Sequence, residues 1–225
     1  MQLVLTPELI LEAYRQGLFP MAYNAESPYV HWICPEERGQ LSIKDIHFSR
    51  RLIKTIRNAP YDIRINTDFS GVISMCAEFT SERPETWIND SIRDVFIKLH
   101  KQGHAHSIEA WQDSEDGEVL VGGLYGLAIG GAFFGESMFS RARDASKIAL
   151  AHLVARLWKG GFELLDTQFV NDHLKQFGVY EVRYDQYMMQ LQEAVSHEAH
   201  FDLDGLDISE NELVREYFEM RKTTA

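Results

Sequence analysis

The sequence predicts an α/β or α+β fold, and three observations support this. Short segments with alternating apolar residues, such as 62–66 and 106–111, are typical of strands, and segments with helical periodicity, such as 144–159, lie between them. Glycine pairs at 130–131 and 160–161 join or end these segments. The 225 residues are 45% hydrophobic and 25% charged, which is ordinary for a globular protein and argues against disorder or a coiled coil.

Residues 1–60 are expected to form a small N-terminal domain. Thr6 as N-cap and Pro7 at the first helical position predict a helix over 7–16. Three prolines in 18–39 favour an irregular segment with at most short strands. A basic helix is predicted over 49–57, and the break that follows it sets the domain boundary.

Residues 61–195 are predicted to form the larger domain. Its predicted strands are 62–66, 106–111, 119–127, 132–139, 162–169 and 179–183, and its predicted helices are 69–78, 91–102, 144–159, 171–178 and 185–195. The remaining residues, 196–225, are acidic and contain a capping box, Ser209 to Glu212, before one more helix. We interpret this segment as an appended C-terminal extension.

The spacing of the cysteines and the lengths of the apolar runs predict the cellular compartment of the protein. Cys34 and Cys76 lie far apart without zinc-binding spacing, so neither a disulfide framework nor a structural zinc site is indicated. The N-terminus lacks the basic region of a signal peptide, and no apolar run approaches the roughly 20 residues that span a bilayer. We therefore expect a cytoplasmic protein with no membrane partner. The histidines at 100, 104 and 106 favour hydrogen bonding over metal ligation, and no metal is expected.

The charge is negative but unevenly distributed. The 22 Lys and Arg residues against 34 Asp and Glu residues give −12, which argues against broad nonspecific binding of nucleic acid. Residues 193–219 carry nine acidic side chains and one arginine, a sum of −8, so the rest of the chain has −12 + 8 = −4.

Two basic patches stand out against this background. The patches consist of Lys44, Arg50, Arg51, Lys54 and Arg57, and of Arg141, Arg143 and Lys147. Such patches are commonly solvated helix faces. Together with Trp32, Arg38 and Trp87 they also suit phosphates and a stacked base.

Three further segments invite a chemical interpretation. The glycine-rich segment 122–126 lacks the spacing of a phosphate loop, and a relaxed hairpin that allows close packing explains it better. Alternation places Phe134, Glu136 and Met138 on one face of a strand, where the lone Glu136 is either solvated at a sheet edge or buried for a purpose. Asp166 and Gln168 share a strand face and are able to contact one amine together, or Asp166 caps the next turn.

Eight sequence blocks follow a fixed order over about residues 13–192. They are 14–21 (YRQGLFPM), Trp32-x-x-Pro35-x-x-Arg38, 86–88 (TWI), 99–111 (with GHAHSIE), 120–126 (LVGGLYG), 134–140 (FGESMFS), 145–147 (ASK), and Asp166-x-Gln168 with His173-Leu174. In these blocks the chain resembles the bacterial leucyl/phenylalanyl-tRNA-protein transferases. It departs from their pattern at Cys34, Thr167 and 176–177, where the family commonly has Ser, Cys and Ser-Leu.

The resemblance implies a fold and an activity. The fold is a small N-terminal domain joined to a GNAT-like acyl-N-acyltransferase domain. The activity is transfer of Leu or Phe, with Met as a third candidate, from aminoacyl-tRNA to the N-terminal Lys or Arg of acceptor proteins, which marks them for N-degron proteolysis. The resemblance implies no cofactor, ATP or metal, and we expect a monomer.

The resemblance also implies roles for individual residues. Asp166 and Gln168 match a pair proposed to accept the amine proton by relay, although a neutral amide is a poor base and a positioning role is preferable. Glu136 matches a carboxylate of the same cleft. The candidates for the aminoacyl pocket are Leu124, Phe133, Phe134, Met138 and Leu165. The candidates for the tRNA 3′ end and acceptor stem are Trp32, Arg38, Trp87, Arg50, Arg51, Lys54, Arg57, Arg141, Arg143 and Lys147.

Two other functions are weighed against this one. A CoA-dependent GNAT N-acetyltransferase is disfavoured because the sequence lacks the pyrophosphate-binding [RQ]-x-x-G-x-[GA] loop before a helix. A non-catalytic module that binds tRNA or peptide is disfavoured because Asp166, Gln168 and Glu136 are all present.

Overall fold

The computed structural model describes residues 4–80, 85–203 and 205–224. The helices are α1 (Pro7–Arg15), α2 (Arg50–Arg57), α3 (Phe69–Ala77), α4 (Asp90–Lys101), α5 (Ala145–Lys159), α6 (Asp172–Lys175), α7 (Tyr184–Ser196) and α8 (Glu210–Thr224). The strands are β1 (Phe19–Ala22), β2 (Val30–Ile33), β3 (Glu37–Leu41), β4 (Asp62–Ile65), β5 (Ala105–Ser114), β6 (Gly117–Ile129), β7 (Ala132–Ser140), β8 (Leu164–Gln168) and β9 (Tyr180–Arg183). The predicted helices and strands after residue 60 are confirmed, with small changes at their ends.

A mixed seven-stranded sheet organises the fold. Its strand order is β4-β5-β6-β7-β8-β3-β9, and β1 with β2 form a separate two-stranded sheet. Only β7 and β8 pair in parallel within the described sheet, and the other neighbours are antiparallel. The α+β class predicted from the sequence is therefore confirmed. The likeness to GNAT domains stays a prediction.

Strand β3 comes from the proline-rich segment yet lies inside the large sheet, between β8 and β9. Helix α2, also before residue 60, packs against α5. The sheet thus draws on chain from both sides of the predicted boundary at residue 60, and that boundary stays a prediction. Before β3, helix α1 and the β1–β2 pair form a small N-terminal part, fastened by the hydrogen bond from Ala22 N–H to the Trp87 carbonyl at 3.1 Å.

The sheet has an apolar core on each face. Helices α2, α5 and α8 cover one face, which we call the α5 face, with a core that includes Leu41, Ile56, Ile108, Ile148, Phe133 and Tyr217. Helices α1, α3, α4 and α7 cover the other, the α1 face, with a core that includes Ile10, Tyr14, Val72, Phe96, Phe134 and Tyr187. Phe133 and Phe134 therefore point to opposite faces, as consecutive strand residues do.

The C-terminal segment is part of this core. Leu213, Val214, Tyr217 and Phe218 of α8 are at most 4% exposed and pack on the α5 face. The Tyr217 hydroxyl also donates to the Ile43 carbonyl at 2.6 Å. The predicted helix and its capping box are confirmed, since Ser209 N–H donates to the Glu212 carboxylate. The interpretation of residues 196–225 as an appended extension rested on their acidic composition, which does not show how α8 packs.

Glycines in β6 allow close packing against helix α5 and against the neighbouring strand β7. A Cβ on Gly122 would lie 2.5 Å from the Ala145 Cβ at the start of α5, and a Cβ on Gly126 would lie 2.3 Å from the Phe133 ring. These distances are shorter than side chains tolerate, so the glycine-rich segment serves close packing within the chain. Among the described helices, none is both long and apolar enough to cross a membrane.

Candidate active site

A cavity of about 790 Å³ opens between β6, β7, β8 and the first turns of α5. Its walls are mainly apolar, and Glu136 is the acidic residue among them. The lining residues are Leu41, Met75, Thr80, Trp87, Leu124, Tyr125, 135–141, Ser146, Leu150, Leu153, Leu165, Thr167, Asn171, His173 and Leu174. A concave, apolar site with a carboxylate in its wall is the kind that holds a hydrophobic substrate and a polar reacting group.

Glu136 owes its position to a β-bulge in β7. Tyr125 pairs with Ser137 and Gly126 pairs with Gly135, so Glu136 has no partner residue on β6. The extra residue breaks the alternation, and Phe134 and Met138 pack on opposite faces of the sheet. The predicted common face for Phe134, Glu136 and Met138 is therefore wrong. Bulges of this kind often aim a side chain at an active site.

A second irregularity lies in the neighbouring strand β8. Its pairing with β3 shifts by one residue, because Gly39 faces Gln168 and Gln40 faces Asp166. Gln168 adopts a left-handed backbone with a φ of 58°, which costs free energy in a residue other than glycine. The Gln168 N–H donates to Asp166 Oδ1 at 2.7 Å and so fixes this conformation. Thr167, the residue between them, faces the cavity.

Asp166 is the centre of a fully buried ion pair. Arg38 Nε lies 3.0 Å from both carboxylate oxygens, and Arg38 Nη2 lies 2.9 Å from Oδ2. The Tyr187 hydroxyl donates to Oδ2 at 2.6 Å. The exposed fractions are 0% for Asp166 and 1% for Arg38. Asp166 is therefore a compensated structural anion behind the cavity wall, and it joins β8, β3 and α7.

This pairing corrects the assignment of Arg38. Its guanidinium is enclosed by Asp166, by the Gly17 carbonyl at 2.8 Å and by the rings of Phe19 and Tyr187, each 4.7 Å from its central carbon. A cation buried in this way does not present itself to a phosphate or base of a tRNA end. The assignment of Arg38 to tRNA contact is wrong for this arrangement, and its role is to compensate Asp166.

Glu136 has a different environment, made of neutral donors. The Tyr14 hydroxyl donates to Oε1 at 2.7 Å, and the Gln168 amide donates to the same oxygen at 3.3 Å. Removal from water raises the pKa of Glu136 to about 8; the Tyr14 hydrogen bond opposes this rise, and the charge of Asp166 adds to it. Burial, followed by the charge of Glu136, also raises the pKa of Tyr14. Glu136 thus titrates near neutral pH at the cavity wall.

The predicted aminoacyl pocket divides into two groups. Leu124, Met138 and Leu165 line the cavity. Phe133 and Phe134 are 0% exposed and do not reach it, because Phe133 packs near Phe201 and Phe134 packs against Tyr14. Strand alternation sends both aromatic rings into the cores on either side of the sheet. The cavity takes its remaining apolar wall from Leu41, Leu150, Leu153 and Leu174.

These additional residues were not found from the sequence. Leu150 and Leu153 are three apart on α5 and so share a helix face, which is a detectable signal. Leu41 was missed because β3 was not predicted within the sheet. His173 and Leu174 belong to a sequence block of the resemblance, but their place in the cavity has no local signature. Tyr14 and Tyr187 reach the site only through the tertiary fold.

Seven of the ten residues predicted to bind tRNA lie in three places. Trp87 and Arg141 line the cavity. Trp32 is opposite Pro20 in the small sheet and packs toward the core of the α1 face. The four basic residues of the third place follow α2 along its exposed side: Arg50, Arg51, Lys54 and Arg57.

Carboxylates pair with several of these cations. Asp144, just before α5, lies 3.4 Å from Arg51, 3.9 Å from Arg143 and 3.5 Å from Lys147. Arg141 pairs with Glu78. Arg51 and Arg143 remain 61% and 81% exposed, so their pairing with Asp144 leaves much of each side chain in water. Surface pairs of this kind contribute about 0–1 kcal/mol and exchange readily for other anions.

The histidines have structural contacts. His106 stacks on Phe201 with ring centres 3.9 Å apart, and Asn66 Nδ2 lies 3.0 Å from its Nδ1. Burial lowers the pKa of His106 to about 3. In the ranges 4–80, 85–203 and 205–224, no group of three or more His, Cys, Asp or Glu side chains is arranged to hold a metal ion.

Known proteins match the chain over most of its length. The sequence model of the leucyl/phenylalanyl-tRNA protein transferase family matches residues 40–192, and the model of that family's N-terminal domain matches residues 4–36. A leucyl/phenylalanyl-tRNA--protein transferase of Paramagnetospirillum magneticum is 52% identical over 198 residues, which cover 88% of this chain and 93% of that protein. Proteins of the same name from two Rhodopseudomonas palustris strains, HaA2 and TIE-1, are 50% and 49% identical over 203 residues, 90% of this chain and 89% and 88% of theirs. The chain therefore belongs to the leucyl/phenylalanyl-tRNA protein transferase family.

Proposed function

We propose that this enzyme transfers Leu or Phe from aminoacyl-tRNA to the N-terminal Lys or Arg of acceptor proteins. The observation that carries the proposal, besides family membership, is an apolar cavity whose wall holds the carboxylate of Glu136, a group with a raised pKa. The apolar walls suit the side chain of the transferred residue, and Glu136 suits an amine. N-degron marking of the acceptor and a place in the cytoplasm follow as parts of the proposal.

The chemistry needs positioning and one proton acceptor. The α-amine of the acceptor attacks the ester carbonyl carbon, a C–N bond forms, and the C–O bond to the tRNA 3′ ribose breaks. The ester is already activated, so conversion to an amide is downhill. An acceptor that binds as an ammonium loses two protons, one before attack and one after the C–N bond has formed; the leaving ribose oxygen gains one of them, and solvent takes the other.

Glu136 is the group best suited to accept the first of these protons. An α-amino group has an ordinary pKa of about 7.7–8.0, and the pKa of Glu136 is about 8. Matched pKa values let the proton move from ammonium to carboxylate at little cost. The carboxylate then holds the proton within the cavity until the ribose oxygen leaves. Tyr14 and Gln168 both donate to Oε1, which leaves Oε2 for the amine.

Asp166 and Gln168 act as positioning residues in this proposal. Asp166 is compensated by Arg38 and lies behind the wall, so it does not take the amine proton. It holds the Gln168 backbone in its left-handed conformation, and Gln168 in turn orients Glu136. A proton relay through the Gln168 amide is not required.

The cavity is expected to accept more than one apolar residue. Its volume of about 790 Å³ exceeds the needs of a single leucine side chain. One methylene changes binding by about 1–3 kcal/mol in an apolar pocket, so discrimination among Leu, Phe and Met is modest. In this proposal Trp87, which lines the cavity, stacks on the terminal base of the tRNA, and the exposed basic residues near α2 and α5 contact the acceptor stem.

One assay tests this proposal against its alternatives. The protein is incubated with labelled Leu-tRNA or Phe-tRNA, with acetyl-CoA, and with peptides that begin with Arg, Lys or N-acetyl-Arg. We expect labelled Leu or Phe at the free N-terminus of the Arg and Lys peptides and none on the blocked peptide. Acetylation of the peptide, or retention of tRNA without transfer, would overturn the proposal. Light scattering at assay concentration tests the expected monomer.

A further inference from the structure

A basic groove of about 520 Å³ lies between helix α2 and the last turns of helix α8. We refer to it as the α2–α8 groove. It is lined by His47, Phe48, Arg50, Ile53, Lys54, Arg57, Phe218, Arg221 and Lys222. Arg221 and Lys222 come from the C-terminal segment, which lies beyond the residues that the family model matches.

We propose that Arg221 and Lys222 extend the tRNA-binding surface, so that α8 contacts phosphates of the acceptor stem. This inference rests on the proposed function and adds to it a second helix that binds tRNA. It gives the last turns of an otherwise acidic segment a role in substrate binding.

The positive charge of the groove favours a polyanionic ligand. Five cationic side chains line it, three from α2 and two from α8, and the adjacent Glu219 gives a local sum of +5 − 1 = +4. Glu219 lies 3.3 Å from Arg57 and 2.7 Å from Lys222. Arg57 is 40% exposed and Lys222 is 60% exposed, so both remain accessible. Accessible cations of this kind neutralise phosphates of a nucleic acid and release the counterions that were bound to them.

The groove is joined to the candidate active site. The Phe48 ring of the groove packs on Phe177 at 5.8 Å, and Phe177 packs on His173 of the cavity wall at 5.8 Å. On the surface, Arg51 and Lys147 both approach Asp144 beside the cavity. Helix α2 then extends about 11 Å from Arg50 to Arg57, at 1.5 Å per residue. A tRNA end held in the cavity thus has cations along one path as far as α8.

The groove is also rigid enough to position its cations. Phe218 is 4% exposed and packs on Phe48 at 5.8 Å, so α8 is fixed against the segment just before α2. The Arg221 guanidinium lies over the Tyr217 ring at 5.6 Å. Cations on packed helices lose less conformational entropy on binding than cations on a loose tail.

Neutralising variants test the proposal. The binding of deacylated tRNA-Phe to wild type and to Arg221→Gln/Lys222→Gln is measured at 50–200 mM salt. The slope of the logarithm of the association constant against the logarithm of salt concentration is then compared between the two proteins. Each lost phosphate contact lowers the slope by roughly 0.7–0.9, so we expect a loss of about 1.4–1.8. In the transfer assay, KM for aminoacyl-tRNA should rise while kcat at saturating tRNA stays near wild type.

A variant of opposite sign and a matched control sharpen the test. Glu219→Gln removes the carboxylate that pairs with Arg57 and Lys222, so it should tighten tRNA binding and steepen the salt slope. The control Lys98→Gln/Lys101→Gln removes two exposed cations from α4, whose neighbours are α1, α3, β1 and β5, and should keep the wild-type slope. If Arg221 is needed for folding because of its ring contact, Lys222→Gln alone should lower the slope by about half as much.

The outcomes separate this inference from the proposed function. A wild-type slope in the Arg221→Gln/Lys222→Gln variant overturns the inference, and so does an equal loss in the α4 control. If wild type transfers Leu or Phe but the α8 variants bind tRNA unchanged, only the role of α8 is lost. If wild type transfers neither residue and does not bind tRNA, the proposed function and this inference fail together.

Discussion

The replacement Glu136→Gln should stabilise the protein while removing its activity. The pKa of Glu136 is raised from its ordinary value of 4.5 to about 8 because the carboxylate is withdrawn from water. Below pH 4.5 the folded and unfolded states are both protonated at this site, and no penalty exists. Between pH 4.5 and 8 the folded state holds a proton that the unfolded state has lost, so the free energy of unfolding falls by about 1.4 kcal/mol per pH unit.

The magnitude follows from the width of that window. A difference of about 3.5 pH units corresponds to about 5 kcal/mol above pH 8 and about 3 kcal/mol at pH 7, as an order of magnitude. The glutamine side chain of the variant would keep an oxygen that accepts from Tyr14 but would carry no charge, so the variant avoids the penalty. Its stability advantage over wild type should therefore grow from pH 5 to pH 8 and then level off.

Urea denaturation of wild type and variant at half-unit steps from pH 5 to pH 9 measures this advantage. The variant Glu115→Gln, an exposed change on the β5–β6 turn, controls for the loss of one negative charge. A stability difference that stays constant across this range would refute the assignment of a raised pKa to Glu136. Transfer by Glu136→Gln should fall about 10²–10⁴-fold, since a positioned proton acceptor contributes about that much.

Three other changes follow from the same contacts. Tyr14→Phe removes a hydrogen bond that lowers the pKa of Glu136, so the rise of transfer rate with pH should move to higher pH, and an unmoved midpoint would contradict this reading. Asp166→Asn leaves Arg38 buried without its anion and should lower the free energy of unfolding by about 3–5 kcal/mol. Most of the transfer activity should be lost as well, while tRNA affinity, measured by filter binding, should stay near wild type. Gly122→Ala should cost about 1–3 kcal/mol by overpacking against α5, and a wild-type urea midpoint would show that α5 yields more easily than the 2.5 Å contact suggests.

Local signals predicted most of the helices and strands. Thr6 accepts a hydrogen bond from the first turn of the helix that it was predicted to cap, and Ser49 and Asn171 accept such bonds at the starts of α2 and α6. The glycine pair at 130–131 lies between β6 and β7, as expected of a hairpin. These features depend on neighbours in sequence, and a single chain displays them directly.

Features that depend on contacts between residues far apart in the sequence could not be predicted from the sequence. Strand β3 lies in a proline-rich segment, and only its pairing with β8 and β9 makes it a strand of the main sheet. The bulge at Glu136 arises from the pairing of β6 with β7, so the rule of alternation gave the wrong face. The apolar residues of α8 were visible in the sequence, but the acidic composition around them hid their place in the core.

The two carboxylates of the site differ in how their charge is compensated, and this divides their roles. Asp166 is buried against the Arg38 guanidinium, and it holds the left-handed backbone of Gln168 in β8. The hydrogen-bond donors to Glu136 within the described part of the chain are neutral, and its withdrawal from water raises its pKa to about 8. A carboxyl group whose environment raises its pKa toward neutral pH is the one suited to carry the proton, which here is Glu136. Arg38 of β3 supplies the cation that pairs with Asp166, and Tyr14 of α1 supplies the hydroxyl that donates to Glu136. Residues from the N-terminal part of the chain therefore complete a site whose two carboxylates lie on β7 and β8.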